Sequence, residues 1–192
     1  ISSGSRVLFV RLSAPGDVAL ELPALATLRA ARPDLHLAWV TEDRCAGILQ
    51  GLPDLDELIV MPRRQWRELR RESGRRAALR AMRAFGHELA AGDWDAALDF
   101  QGNLKSGLVT RASRARRRIG FARGQTREPN WVFTRERVPL PDPRLHRRER
   151  DAALLRTLLP ATELDLDLSP DFGLSPEELA FAPDCLAAPG SS

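Results

Sequence analysis

The fold of this chain is decided by residues 6–17, RVLFVRLSAPGD. The largely apolar run over residues 7–12 is typical of a buried parallel strand when a turn signal ends it. The turn formers at 13–16 supply that signal, and a helical pattern follows over 18–31. A strand, a glycine turn and a helix predict the first βα unit of a doubly wound sheet. Because ligands gather at the carboxyl ends of the strands in such sheets, Asp17 lies where this fold does its chemistry.

The same alternation of strands and helices continues along the chain. Further strands are predicted at 35–40, 58–61, 96–100 and 117–120. Further helices are predicted at 42–49, 66–91 with a break near Gly74, 104–111 and 150–158. In the long helix, the side chains expected to face the sheet are Leu79, Met82, Phe85 and Leu89. This order predicts right-handed crossovers and an α/β fold with one doubly wound, Rossmann-like parallel sheet.

The distribution of charged residues and the two cysteines indicate which partners and which compartment suit this protein. Lys105 is the only lysine among 29 basic residues, so the other 28 are arginine. Nine arginines fall within residues 63–83 and seven within 111–127. A GC-rich genome explains part of this bias, yet such clusters also suit phosphate, carboxylate, nucleic-acid or anionic membrane partners. The distant Cys45 and Cys185 have no metal-like spacing and predict free thiols in a reducing compartment.

Two groups of polar side chains follow predicted strands. Arg63, Arg64 and Arg67 cluster at a strand-to-helix junction, where a doubly wound sheet presents its ligand edge. Gln101 and Lys105 flank the turn after another strand, where a helix N-terminus offers free N–H groups to an anion. A plain helix cap by Asn103 would explain that second turn without a ligand. The arginines at 75, 76, 80 and 83 lie off the apolar stripe and are expected to form a solvated helix face.

Four stretches, taken in order, resemble glycosyltransferase family 9, the lipopolysaccharide heptosyltransferases. They are the S-x-x-G-D turn at 13–17, PALATLRAARPDLHLAWVTE at 23–42, DWDAALDFQGNLKSGLVTR at 93–111 and GQTREP at 124–129. The short turn alone would be weak evidence, whereas the ordered set is specific. The resemblance covers roughly residues 6–160 and is strongest to members that add the first heptose of the inner core.

The resemblance implies the N-terminal domain of a GT-B enzyme, in which two Rossmann-like domains face each other across a cleft. Residues 6–160 would form the acceptor-binding domain, 161–183 the interdomain linker and 184–192 the start of a truncated nucleotide-sugar-binding domain. The isolated half is therefore expected to be inactive.

The resemblance also implies a reaction: inverting transfer of heptose from ADP-heptose to the Kdo of Kdo-lipid A, with no cofactor and no metal. Asp17 would be the general base, although the sequence alone makes a helix cap its commoner role. The expected substrate contacts are Ser13, Gly16, Arg63, Arg64, Arg67, Gln101, Lys105, Arg127 and His146. The expected partners are the nucleotide-sugar donor, an anionic glycolipid and the inner face of the inner membrane, which implies a cytoplasmic, peripheral protein.

Alternative functions stay open at this point. Another family 9 transferase, acting on a second heptose, would share most of these motifs. An arginine-rich module that binds nucleic acid or other anions would fit the pI near 9.6, but the arginines are not interleaved with stacking aromatics. A degenerate, non-catalytic half-protein is the remaining alternative.

Overall fold

The computed structural model describes residues 1–142 and 144–160 of the chain. The strands are β1 (Arg6–Val10), β2 (His36–Glu42), β3 (Glu57–Met61), β4 (Ala96–Asp99), β5 (Arg117–Phe121) and β6 (Glu136–Val138). The helices are α1 (Pro15–Ala19), α2 (Leu22–Ala31), α3 (Ala46–Leu49), α4 (Arg63–Glu72), α5 (Gly74–Ala90), α6 (Leu104–Ala112) and α7 (Arg147–Leu155). Short 3-10 turns occupy Asp43–Cys45 and Asn130–Val132.

The six strands form one parallel sheet in the order β3-β2-β1-β4-β5-β6. This arrangement confirms the predicted doubly wound, Rossmann-like fold. The chain order reverses between β1 and β4, so a crevice opens beyond their carboxyl ends, where such sheets bind ligands. The turn after β1 carries Asp17, and it therefore lies at the topological switch point.

Apolar side chains cover both faces of the sheet. Val7 and Phe9 of β1 pack on one face with the apolar sides of α2 and α7. Leu8 and Val10 point to the other face and pack with residues of α4, α5 and α6. Residues 7–10 are completely buried, as expected of a central parallel strand that is covered on both sides.

Two predicted helix boundaries are wrong near the first turns. The helix predicted over 18–31 is two helices, α1 and α2, because Pro23 lies in the first turn of α2. A proline there fits the start of a helix but would clash with the carbonyl four residues earlier in a continuous one. Glu42 was expected to begin a helix, but it ends β2. Its backbone N–H donates to the Leu12 carbonyl at 3.0 Å, and it lies opposite Met61 in the parallel register.

The long predicted helix is broken as expected, at Gly74, whose φ is +83°. The predicted buried stripe is half wrong, because Leu79 and Met82 are 52% and 37% exposed. Ala81, Phe85 and Leu89 pack in the core cluster on this face of the sheet, and Ala78 is also buried. The face of α5 that carries Leu79 and Met82 is therefore turned toward solvent.

The last described segment differs from the prediction in two ways. Helix α7 begins at Arg147, three residues before the predicted start, and ends at Leu155. Strand β6 was not predicted, since its three residues include a glutamate and an arginine. The predicted linker at 161–183 and second-domain start at 184–192 lie outside the described residues. Within the described ranges, none of the helices has the length and apolar character needed to cross a membrane.

Candidate functional site

The loops at the carboxyl edge of the sheet line two pockets. The first, the Asp17 pocket, has a volume of about 530 Å³. It lies between the turn after β1, the loops after β4 and β5, and the start of α7. Its lining residues are Arg11, Ser13, Ala14, Asp17, Gln101, Gly102, Asn103, Gln125, Thr126, Arg127, Glu128, Arg147 and Arg150.

The second pocket, the arginine pocket, has a volume of about 500 Å³. It lies beyond β2 and β3, beside the starts of α4 and α6. Its lining residues are Glu42, Asp43, Arg44, Arg63, Arg64, Arg67 and Lys105. Five cationic and two anionic side chains therefore share it, so its net charge is positive.

Asp17 is the third residue of α1, not its cap, and its carboxylate is held on both oxygens. Oδ2 accepts from the Ala14 backbone N–H at 3.3 Å and lies 3.0 Å from Nη2 of Arg11. Oδ1 accepts from Nη2 of Arg147 at 3.1 Å. The side chain remains 40% exposed, so a ligand in the pocket can reach a carboxylate whose orientation is fixed.

A buried ion cluster underlies Asp17, and the sequence analysis missed it. Glu21 is completely buried, and its Oε1 lies 2.8 Å from Nη1 of Arg147 and 3.4 Å from Nη1 of Arg11. The same Nη1 of Arg11 donates to the Phe100 carbonyl at 3.1 Å. Arg11 and Arg147 therefore each bridge Asp17 and Glu21, which closes a ring of four charged side chains.

Two buried polar atoms of the ring lack hydrogen-bond partners among the described residues, and burial raises the pKa of its glutamate. Oε2 of Glu21 and Nε of Arg11 are buried without a hydrogen-bond partner in the described structure. Burial raises the pKa of Glu21 to about 7, against the opposing effect of the two arginines. Burial and the nearby Glu21 likewise raise the pKa of Asp151, on α7, to about 8. The cluster thus holds carboxyl groups that change charge near neutral pH.

A separate hydrogen-bond network connects the carboxyl ends of β1 and β4. Oε1 of Gln101 accepts from the Leu12 N–H at 2.8 Å, so this side chain ties the ends of the two strands together. Asp99 is buried and accepts from the N–H of Gly102 at 2.9 Å and from the hydroxyl of Ser106 at 3.0 Å. Burial raises the pKa of the Asp99 carboxyl. Gln101 lines the pocket as predicted, but the contact it makes in the structure is to the backbone.

In the arginine pocket, one buried carboxylate is paired with several cations that are more exposed. Glu42 is buried, with its carboxylate 3.2 Å from Nε of Arg44 and 3.5 Å from Nε of Arg63. The Lys105 ammonium also donates to Glu42. The backbone N–H of Arg64 donates to Asp43 at 2.7 Å, whereas the Arg64 side chain is 80% exposed. Arg64 is thus anchored by its backbone, and its exposed side chain is paired with Glu68 one turn later on α4, with Nε 3.0 Å from Oε1.

The other predicted contacts differ in how they are placed. Ser13 and Arg127 line the Asp17 pocket, and the Arg127 side chain is exposed. Gly16 lies on the first turn of α1, outside the lining of both pockets, and a Cβ there would meet nothing within 4 Å. His146 caps α7, and its Nδ1 accepts from the Arg148 backbone N–H at 3.4 Å. The structure therefore gives His146 a capping contact.

The structure distributes the predicted contacts Asp17, Arg63, Arg64, Lys105 and Arg127 over two pockets at the same edge of the sheet. Asp17 and Arg127 line one pocket, and the other three line the second. Arg63 and Arg64 follow β3 and Arg127 follows β5, on opposite sides of β1, whereas Lys105 on α6 follows β4 and reaches across to Glu42 of β2. Among residues 1–142 and 144–160, no group of three or more His, Cys, Asp or Glu side chains could hold a metal ion.

Comparisons with known proteins bear on the family of this chain. The model of glycosyltransferase family 9 (heptosyltransferase) matches residues 82–189. Lipopolysaccharide heptosyltransferase 1 of Pseudomonas aeruginosa is 34% identical over 181 residues, which is 92% of this chain and 48% of the relative. The Escherichia coli protein of the same name is 36% identical over 133 residues, which is 68% of this chain and 38% of the relative.

Solved structures show the same relationship. The E. coli heptosyltransferase WaaC with ADP-2-deoxy-2-fluoro heptose superposes with a TM-score of 0.71 at 30% identity, covering 86% of this chain and 51% of that one. E. coli ADP-heptose lps heptosyltransferase II, with a TM-score of 0.57 at 20% identity, shares the fold. The chain spans about half the length of the relatives it matches.

The parallel sheet and the carboxylate at its switch point define a Rossmann-like domain of the kind that sugar transferases use. The matches then fix the family: this chain belongs to glycosyltransferase family 9.

Proposed function

We propose that this chain is the acceptor-binding half of an inverting heptosyltransferase of lipopolysaccharide inner-core synthesis. The reaction is transfer of heptose from ADP-heptose to the Kdo of Kdo-lipid A. The observation that carries the proposal is the exposed, arginine-held carboxylate of Asp17 at the switch point of a family 9 sheet. Relatives named lipopolysaccharide heptosyltransferase 1, and one solved with an ADP-heptose analogue, support the donor and the sugar.

Asp17 acts as the general base in this proposal. The acceptor hydroxyl transfers its proton to the Asp17 carboxylate as its oxygen attacks the anomeric carbon of the donor. The new C–O bond forms as the bond from that carbon to the diphosphate breaks, and ADP leaves with the electron pair. Attack from the side opposite the leaving group inverts the anomeric centre. The contacts from Arg11 and Arg147 orient the Asp17 carboxylate for this step.

The arginine pocket supplies the anion site for the acceptor. Guanidinium groups bind carboxylates and phosphates through charge-assisted, often bidentate hydrogen bonds. Arg63, Arg64 and Arg67 suit the carboxylates of Kdo and the phosphates of lipid A. An acceptor of this kind places the protein at the inner face of the inner membrane, where a basic surface is attracted to anionic lipid.

The first prediction follows from the proposed division of the enzyme into an acceptor-binding half and a donor-binding half. The chain alone should bind a Kdo-containing acceptor in calorimetric titration, and the affinity should fall as salt rises because exposed charges are screened over about 8–10 Å at 0.1–0.15 M salt. Mixed with ADP-heptose and the acceptor, it should form no product, because the proposal assigns donor binding to a second domain.

An RNA of similar charge serves as the competitor in the same titration. Binding of RNA with no binding of the acceptor would favour a nucleic-acid module and contradict the proposal. Product formation by the chain alone would contradict the assignment of donor binding to a second half.

A further inference from the structure

The ring beneath Asp17 contains a carboxylate that the proposed reaction does not use. Glu21 is completely buried, pairs through Oε1 with Arg11 and Arg147 of the pocket lining, and has no hydrogen-bond partner for Oε2 in the described structure. Since a buried, incompletely paired charge is unfavourable for folding, the ionised form of Glu21 destabilises the fold. Its place between two arginines that both hold Asp17 suggests a role in the pocket above.

We propose that Glu21 is a positioning residue for Asp17. Through Oε1 it holds Arg11 and Arg147 in place, and it shares their positive charge with the Asp17 carboxylate. The inference deepens the proposed function and rests on it, since it assigns to Glu21 the control of how strong a base Asp17 is.

The physical argument concerns the balance of charge in the ring. When Glu21 is ionised, two carboxylates divide two guanidinium groups, so Asp17 is less neutralised and accepts a proton more readily. When Glu21 is protonated, both guanidinium groups act on Asp17 alone, which makes it a weaker base. Oε2 has no partner and is the atom on which the proton resides in the second state. Asp17 therefore becomes a stronger base as Glu21 ionises.

The charged groups around Glu21 place this change near neutral pH. The groups that face it are Arg11 after β1, Asp17 on α1, and Arg147, Arg150 and Asp151 on α7. Burial, together with the smaller effect of Asp17, outweighs the two arginines and raises the pKa of Glu21 to about 7. The ring thus couples the titration of one carboxyl to the charge state of another.

A direct test follows the Asp17 side-chain carboxyl carbon by ¹³C NMR in this chain from pH 4 to pH 9. Besides its own titration, the signal should move in a second step near pH 7, when Glu21 ionises. Glu21→Gln should remove that second step. The matched control is Glu42→Gln, which removes the other arginine-bound buried glutamate and should leave the second step in place.

The catalytic consequence is measured in the complete two-domain enzyme. Wild-type kcat should rise between pH 6 and pH 8. In Glu21→Gln it should stay flat and lie about 3- to 10-fold lower at pH 8, as expected for a moderately weaker general base. The KM values should change less than twofold, and Glu21→Asp, which keeps a carboxylate, should restore part of the rise.

The two proposals can fail separately. Loss of the second NMR step in Glu21→Gln, together with wild-type turnover by Asp17→Asn, would keep the coupling and remove Asp17 as base. An Asp17 signal with the same steps in Glu21→Gln as in wild type, and a normal pH profile of kcat, would overturn the role of Glu21. An equal loss of kcat at every pH would also overturn it, since that is the result expected of a structural residue.

Discussion

The Asp17 pocket and the arginine pocket both pair carboxylates with cations, but the sign of the buried charge and that of the exposed charge are exchanged between them. In the Asp17 pocket, Arg11 is buried and the carboxylate of Asp17 is 40% exposed. In the arginine pocket, Glu42 is buried, and the side chains of Arg44 and Arg63, which lie 3.2 and 3.5 Å from its carboxylate, are 57% and 41% exposed. Each pocket thus uses a buried charge of one sign to hold a group of the other sign at the surface.

This reversal assigns the pockets different tasks. An exposed carboxylate held by cations can accept a proton from a hydroxyl, whereas exposed cations held by a carboxylate can bind an anionic ligand. Both pockets lie at the carboxyl edge of one sheet, on either side of β1. We infer that a substrate with a nucleophilic hydroxyl at one end and anionic groups nearby would bridge them.

The largest effect is expected from Asp17→Asn in the complete enzyme. Removing a general base lowers the rate by about 10²- to 10⁴-fold, so kcat should fall by that factor. The amide keeps the shape of the side chain, so the KM for the acceptor should change little. Steady-state kinetics measures both values. A variant that retains more than about half of wild-type turnover would leave Asp17 a structural role, through its contacts to Ala14, Arg11 and Arg147.

An intermediate effect is expected on stability from Glu21→Gln. The pKa of Glu21 is raised from 4.5 to about 7 on folding, so its stabilising contribution is complete below pH 4.5 and is lost as the pH rises through 7. A shift of this size corresponds to about 3 kcal/mol of unfolding free energy. At pH 8 the variant should therefore be more stable than wild type by up to that amount, and at pH 4 the two should be similar.

Thermal denaturation of this chain as a function of pH measures the difference. Glu42→Gln is the control from the other pocket, and it should lose stability at pH 8 because it leaves Arg44, Arg63 and Lys105 without their shared carboxylate. Destabilisation by both variants at pH 8 would mean that the two buried glutamates have the same, structural role.

Most of the fold was predictable because its signals are local. The apolar run at 7–10 and the turn that follows define the central strand, and the repeated alternation defines the parallel sheet. Strand β6 could not be found, since three residues with two charges carry no apolar pattern. The buried face of α5 was predicted incorrectly because the pattern favoured large apolar side chains. In the structure, Ala78 is buried and Ala81 packs against the core.

The exposed half of the site was easier to predict than the buried half. Asp17 and Arg127 stand out in recognisable turns, whereas Glu21 and Arg147 lie 126 positions apart and meet only after α7 has packed beside α1 and α2. A signal was nevertheless available. Arg11 interrupts an apolar run, and Glu21 lies between Leu20 and Leu22. A charged residue inside such a pattern requires a partner from a distant segment when it is buried.

The central claim, that one pocket does the chemistry and the other binds the anion, is tested most directly by titrating a Kdo-containing acceptor into variants of this chain. Asp17→Asn should bind within about twofold of wild type. Arg63→Ala combined with Arg64→Ala should bind at least about tenfold more weakly, since each charge-assisted hydrogen bond contributes about 1.5–3 kcal/mol. Arg80→Ala combined with Arg83→Ala removes the same charge from α5 and should have little effect. A loss from the Arg80 and Arg83 pair equal to that from Arg63 and Arg64, or a tenfold loss from Asp17→Asn, would contradict the division of the two pockets.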